Sequence, residues 1–238
     1  MKNYIVTFEG IDCSGKGEQS KRLLAYFKKL NQPAILTREP GGTPYGEALR
    51  AMIKHPEIAI GSIIKAFAGH EDFPKDIDIS EGFYRSDYCE LLMFLAARAE
   101  FVAKSIKPSL ARGEIDIIDR FYDSTRAYQG GGRFLGNPTV VAMINKLNKF
   151  VLQGLKPAIT FFLDITVDEM IARRNRAAQK DAYFEKTCDR NFFDRARCEY
   201  FKIAKEEPDR FVIIDGNRDI EEIHLEIIKK IATISGED

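Results

Sequence analysis

The residues Gly10-Ile-Asp-Cys-Ser-Gly-Lys16-Gly17 carry the most specific chemical signal in the chain. They follow the apolar run Tyr4–Glu9 and precede a helical pattern, the setting in which G-x-x-x-x-G-K wraps a phosphate. Glycines let the backbone turn so that successive N–H groups face one anion. The helix that follows adds its positive N-terminal end, and Lys16 reaches the β- and γ-phosphates as a point charge. Gly10, Ile11, Asp12, Cys13, Ser14, Gly15, Lys16 and Gly17 are therefore the candidate nucleotide-binding residues. One position departs from the pattern. Gly17 stands where the motif asks for a Ser or Thr hydroxyl to ligate Mg²⁺. Either magnesium is held through the nucleotide, water and another carboxylate, or catalysis is weakened.

Three further clusters supply charge. Arg38-Glu-Pro-Gly-Gly-Thr-Pro44 closes the second apolar run, and a guanidinium there could grip a second phosphate bidentately, or be an ordinary surface arginine in a turn. The third run ends in Asp119-Arg120, followed by Ser124, Tyr128, Gln129, the glycines 130–132 and Arg133. Asp119 is the candidate magnesium-organising carboxylate, with a helix-cap role equally open to it. Arg120 is a second candidate for an acceptor phosphate. Last come Arg173, Arg174 and Arg176, then Asp189-Arg190, Phe192-Phe193, Arg195 and Arg197. Arginines at near-helical spacing could close over transferring phosphates, or simply form a solvated helix face.

Five short runs must position these groups: Tyr4–Glu9, Ala34–Arg38, Ile115–Asp119, Ile159–Asp164 and Phe211–Asp215. They are continuously apolar rather than alternating, as expected of parallel strands buried on both faces. Helical patterns lie between them: Leu23, Leu24, Phe27 and Leu30; Leu91, Leu92, Leu95, Ala99 and Val102; and Ile220, Ile223, Ile227, Ile228 and Ile231, with Asp219 and Glu222 as a capping pair. Thr166 and Glu169 form a capping box ahead of the arginine run. Alternating strands and helices predict an α/β fold with helices on both sides of the sheet. Four strands end in a carboxylate, and these ends gather along the edge where such folds bind ligands. Residues 55–88 read as an insertion with a short helix around Ile60–Phe67, and residues 173–190 as a solvent-facing lid.

The 36 Lys+Arg balance the 36 Asp+Glu. A protein whose main partner was long nucleic acid would show a basic excess, so any cationic site here is local. Cys13, Cys89, Cys188 and Cys198 have no CxxC spacing, which suggests reduced thiols in a cytosolic compartment rather than zinc or disulfides. Met1 to Gly10 is not a signal-peptide pattern, and no apolar run approaches the roughly 20 residues of a spanning helix. No membrane partner is expected.

Taken together, the motifs resemble those of the thymidylate kinases of bacterial type. The resemblance rests on Phe8-Glu-Gly-Ile-Asp-x-Ser-Gly-Lys16, Arg38-Glu-Pro-Gly-Gly-Thr, Leu92-Met-Phe-Leu-Ala-Ala-Arg98, Asp119-Arg120, Ala127-Tyr-Gln-Gly-Gly-Gly-Arg133 and Asp189-Arg-x-Phe-Phe-x-Arg195, in order from Lys2 to the C-terminal helix and leaving out residues 55–88. It implies a three-layer P-loop kinase fold with a central five-stranded parallel sheet, one domain over residues 1–238. It implies the reaction ATP + dTMP → ADP + dTDP in dTTP biosynthesis, with magnesium, in a cytoplasmic homodimer. Carried over by position, Asp12 would contact the acceptor sugar and exclude a 2′-OH, while Arg38 and Arg120 would hold the dTMP phosphate. Phe94 would stack on thymine, Arg98 would bond its exocyclic oxygen, and Tyr128 and Gln129 would line the same pocket. Cys13 stands where some relatives place a catalytic arginine, so Arg173, Arg174 and Arg176 of the lid would supply that charge. A degenerate nucleotide-binding module, a kinase for another monophosphate, and a deoxynucleoside kinase are the competing readings.

Overall fold

The five apolar runs become five parallel strands: Ile5–Glu9 (β1), Ala34–Arg38 (β2), Ile115–Asp119 (β3), Ile159–Asp164 (β4) and Phe211–Asp215 (β5). They form one sheet in the order β2-β3-β1-β4-β5. The computed structural model describes residues 3–71, 77, 82–176 and 188–235. In its register Phe8 of β1 lies opposite Asp119 of β3 and Phe161 of β4, while Arg38 pairs with Asp119 and Asp164 with Asp215. The C-terminal ends of the strands are therefore level, and the loop after β1 leaves from the middle of that edge.

Side chains alternate across the sheet, which builds an apolar layer on each face. On one face Val6, Phe8, Ile117, Phe161 and Leu163 pack against Leu23 and Phe27 of α1 (Lys16–Lys29) and against Ile223, Ile227 and Ile231 of the C-terminal helix α10 (Ile220–Ser235). On the other face Phe162 packs against Phe193, Ala196 and Tyr200 of α9 (Arg190–Glu206). Ile5 and Ile118 on that same side meet Phe101 and Val102, at the end of α4 (Asp87–Phe101) and the π-helical turn Val102–Ile106. Each fully buried large apolar side chain of this kind contributes about 1.5–3 kcal/mol. This is the expected three-layer α/β arrangement.

Between these helices lie α2 (Pro44–Lys54), α3 (Pro56–Phe67), α5 (Lys107–Ala111), α6 (Tyr122–Thr125), the π-helical segment Arg126–Arg133, α7 (Pro138–Leu152) and α8 (Val167–Arg176). Helix α3 begins four residues before the predicted Ile60, because Pro56 suits a first helical turn. Thr43 caps α2 through Gly46 N at 3.0 Å, and Thr166 caps α8 through Glu169 N at 3.2 Å. Asp219 accepts from Glu221 N, but Glu222 turns to Arg218 instead of completing a reciprocal cap. Three residues assigned to buried helix faces are exposed, namely Leu30, Leu92 and Ile220. Leu30 lies just past the end of α1 and Ile220 is the first residue of α10. Gly132 allows the π-helical segment to lie directly on α9, since a Cβ there would fall 2.4 Å from the Phe192 ring. Parts of the 55–88 segment (72–76 and 78–81) and of the 173–190 segment (177–187) lie outside the described residues. Among the described residues no helix is long and apolar enough to cross a membrane.

Candidate active site

The phosphate loop is shaped by close backbone packing. Gly10 has φ +140°, and a Cβ there would lie 2.5 Å from the Leu163 carbonyl oxygen of β4. Only glycine suits it. Cys13 takes the left-handed region at φ +57°, and Gly15 does so at φ +98° just before α1. The first turn of α1 leaves backbone donors without intrahelical acceptors, directed at whatever occupies the loop. Lys16 is buried and its Nζ donates to the Ile11 carbonyl at 2.8 Å and to Ser14 Oγ at 3.2 Å. Burial pulls its ammonium down to about 8, with Arg120 adding to the effect against Asp119, Asp12 and Glu9.

Beside the loop lies a cavity of about 120 Å³. Its lining includes Asp12, Arg38, Asp119 and Arg120, together with Phe94, Arg98 and Gln129. Arg120 sits at a left-handed φ of +67°. Its guanidinium donates to the Gly10 carbonyl at 2.8 Å and to Ser124 Oγ at 3.3 Å, pairs with Asp12, and lies over the Tyr128 ring at 4.8 Å. Tyr128 Oη also donates to Asp12 at 3.2 Å. Burial works against ionisation of Asp12, but Arg120, Lys16 and Lys54 outweigh it and hold the carboxyl below its usual range. Arg38 is tethered by Glu47, 3.1 Å from both carboxylate oxygens, while remaining half exposed.

The four carboxylates that end strands fare differently. Glu9 is buried and holds the turn that carries Arg120, accepting from Phe121 N at 2.7 Å, Ser124 Oγ at 2.6 Å and Tyr200 Oη at 2.9 Å. Burial and then Asp123 push its carboxyl up to about 7, against Ser124 and Arg120. Asp164 is clamped by Arg197 at 2.6 and 2.8 Å, and Asp215 caps Asn217 N. Only Asp119 is left facing the ligand edge without a hydrogen bond or ion pair to its side chain among the described residues. A Cβ on Gly17 would lie 3.5 Å from its Oδ2. The helix-cap alternative for Asp119 has no supporting contact.

Arg98 lies at the floor of the cavity, 1 % exposed. Glu39 accepts from its Nε at 3.0 Å, Asn148 Oδ1 from Nη1 at 2.7 Å, and the Phe121 carbonyl from Nη2 at 3.4 Å. Burial raises the Glu39 carboxyl, against the pull of Arg98. Sequence reasoning did not single out Arg50 and Lys54, which line the cavity from one face of α2. Their i, i+4 spacing directly after the Arg38 turn was the available signal. Among the lid arginines, Arg173 reaches the loops, donating to the Gly216 carbonyl at 2.9 Å and the Cys13 carbonyl at 3.4 Å. Arg174 lies near enough to Cys13 to bias its thiol. Arg176 is turned back to Glu169 and to the Ala172 carbonyl of its own helix.

One cavity thus brings together the cationic groups Arg38, Arg98 and Arg120, the carboxylates Asp12 and Asp119, and the Phe94 ring. The sequence pattern of the family described as thymidylate kinase matches residues 8–70 and 78–227. Residues 71–77 are thus the only internal stretch outside the pattern, a narrower gap than residues 55–88. The chain is 34% identical over 225 residues to the thymidylate kinase of Kosmotoga olearia, covering 94% of this chain and 93% of the relative. It is 39% identical over 224 residues to that of Fervidobacterium nodosum, covering 94% and 96%. The crystal structure of thymidylate kinase from Ehrlichia chaffeensis superposes with a TM-score of 0.66 at 32% identity, over 97% of this chain and 99% of that one.

Proposed function

This chain belongs to the thymidylate kinase family, and on that premise we propose that it transfers the γ-phosphoryl group of ATP to dTMP, giving ADP and dTDP. The observation that carries this reading is a single cavity whose lining combines Asp12 of the phosphate loop, two arginines suited to a phosphate, and Phe94 and Arg98 suited to a base. In the transfer an acceptor phosphate oxygen forms a bond to the γ-phosphorus while the bond to the β,γ-bridging oxygen breaks, and the bridging oxygen leaves on ADP. The protein supplies position and charge neutralisation. Lys16 neutralises the donor phosphates. Arg38 and Arg120 bring the second anion to the first despite their repulsion. Arg173 and Arg174 cover the transferring group from the lid side; Arg173 and Arg176 both pair with Glu169, at 2.7 and 3.2 Å, and Arg176 would have to leave it to join them. A cation pair without an acceptor anion has no purpose in a deoxynucleoside kinase, and the family does not favour a non-catalytic module.

The residues present fit Mg²⁺. No group of three or more His, Cys, Asp or Glu side chains among the described residues could enclose a metal ion. Asp119, however, offers an unengaged carboxylate beside the open space over Gly17, so it would hold the ion directly or through water, with the nucleotide phosphates as the other ligands. When bound, magnesium draws charge from the β- and γ-oxygens. Gly17→Thr places a Cβ at ordinary contact distance from Asp119, 3.5 Å from Oδ2, and adds a hydroxyl on that Cβ. It is expected to tighten Mn²⁺ binding to the protein–ADP complex about tenfold, read by paramagnetic resonance titration. Unchanged affinity would show that the hydroxyl position is not part of the metal site.

The reading extends to one catalytic domain with a lid over 173–190, and to a cytoplasmic homodimer. Exposed Tyr88 and Leu92, one turn apart on α4, support a covered apolar face there. The test of the function is a panel of nucleoside monophosphates, with thymidine alongside, assayed with ATP and magnesium. Turnover of dTMP above all others is expected, and no turnover of any monophosphate would overturn it.

A further inference from the structure

We infer that Glu90 is a positioning residue for base selection, because it fixes which end of the Gln129 amide faces the acceptor cavity. The inference rests on reading that cavity as the dTMP site. Glu90 is buried on the first turn of α4, and its carboxylate is ringed by donors. Arg85 Nη2 donates at 3.0 Å, Arg133 Nε and Nη2 at 3.1 and 3.2 Å, and Gln129 Nε2 at 2.9 Å. A carboxylate held by two guanidiniums accepts and does not donate. Turning the Gln129 amide over would set its carbonyl oxygen against a carboxylate oxygen inside a buried site, which is strongly unfavourable. The amide is therefore locked with Nε2 on Glu90. Its Oε1 meets no hydrogen-bond donor among the described residues, and Gln129 lines the cavity. Gln129 thus offers the ligand an acceptor.

Arg98 offers the opposite. Of the five N–H groups of a guanidinium, three are taken by Glu39, Asn148 and Phe121, and the remaining ones can only donate. A fixed acceptor and a fixed donor lining one cavity match a pyrimidine with N3–H and a 4-oxo group. They oppose a 4-amino pyrimidine, which has a bare N3 and an N–H₂ at those positions. The ligand class is therefore the 4-oxo pyrimidine monophosphates, and Glu90 enforces the choice without touching the base.

The experiment compares kcat/KM for dTMP and dCMP in the full-length enzyme. Glu90→Gln restores freedom to the Gln129 amide and is expected to lower the dTMP/dCMP ratio at least about tenfold, with the KM for ATP unchanged. In a Gln129→Leu background the same Glu90→Gln change is expected to leave the ratio where Gln129→Leu alone puts it. A merely structural Glu90 would depress both substrates by the same factor, and that outcome overturns the inference. Should Glu90→Gln fail to fold, Gln129→Leu with Glu90 intact decides: it must lower the ratio, and an unchanged ratio overturns the inference. Absence of dTMP turnover in the unmodified enzyme would instead remove the proposed function itself.

Discussion

Lys16→Ala is expected to lower kcat by about 10³-fold, the scale of losing a fixed charge that meets the transition state in a water-poor site. The magnitude follows from where the ammonium sits. It is buried within the loop, held by two neutral oxygens and pulled down to about 8 by desolvation and Arg120. Arriving phosphates replace those oxygens with full negative charge and return the ammonium to its ordinary range. The sign of the linkage is therefore fixed. Above pH 8 the empty site is increasingly deprotonated, and nucleotide binding must take up a proton. ATP affinity should fall as pH rises from 8 towards 10, and calorimetry at pH 8.5 in buffers of different ionisation enthalpy should register proton uptake. In Lys16→Ala that uptake should vanish with the activity. An alanine enzyme retaining a tenth of its kcat would refute the role given to the loop.

The second large effect belongs to Arg120. Arg120→Ala is expected to reduce kcat/KM for dTMP by about 10³-fold, most of it in KM, because a bidentate phosphate clamp is removed. The same change takes the ion pair from Asp12, whose carboxyl Arg120 helps hold ionised, leaving it the Tyr128 hydroxyl, and losing a charged partner costs about 1–3 kcal/mol, read from the urea midpoint. Arg120→Lys separates the two consequences. It retains a cation for Asp12 but not the planar fork or its stacking on Tyr128, so stability should largely return while KM stays high. A normal KM for dTMP in either variant would mean that the acceptor phosphate is held elsewhere.

What could be read in the chain followed the range of the interactions. All five strands were legible within a residue, because unbroken apolar runs such as Ile159–Asp164 have few alternatives to the centre of a parallel sheet. The phosphate loop was legible because its function is built from contiguous backbone. Arg38 and Arg120 could be nominated because each sits at a strand end, whereas Phe94 came only with the family resemblance. Other features depend on residues far apart in sequence and leave no local trace. Glu9 meets Tyr200 across 191 positions, and Arg98 meets Glu39 across 59 and Asn148 across 50. The π-helical course of Arg126–Arg133 was equally hidden, since three consecutive glycines state permission for close packing without naming the partner. Nor could a run of strand-end carboxylates announce that Asp164 and Asp215 would be spent on neighbours and Asp119 left open.

The seat of Arg98 has a practical corollary for anyone wishing to retrain this enzyme toward unnatural nucleobases. Its orientation is set by Glu39 from the turn after β2 and by Asn148 from α7, and Asn148 does not itself line the cavity. Glu39 belongs to the cavity wall, so libraries confined to that wall would vary Arg98 and one of its supports while leaving the Asn148 support untouched. Randomising positions 39 and 148 together with 98 offers evolution a way to re-aim the guanidinium rather than merely discard it.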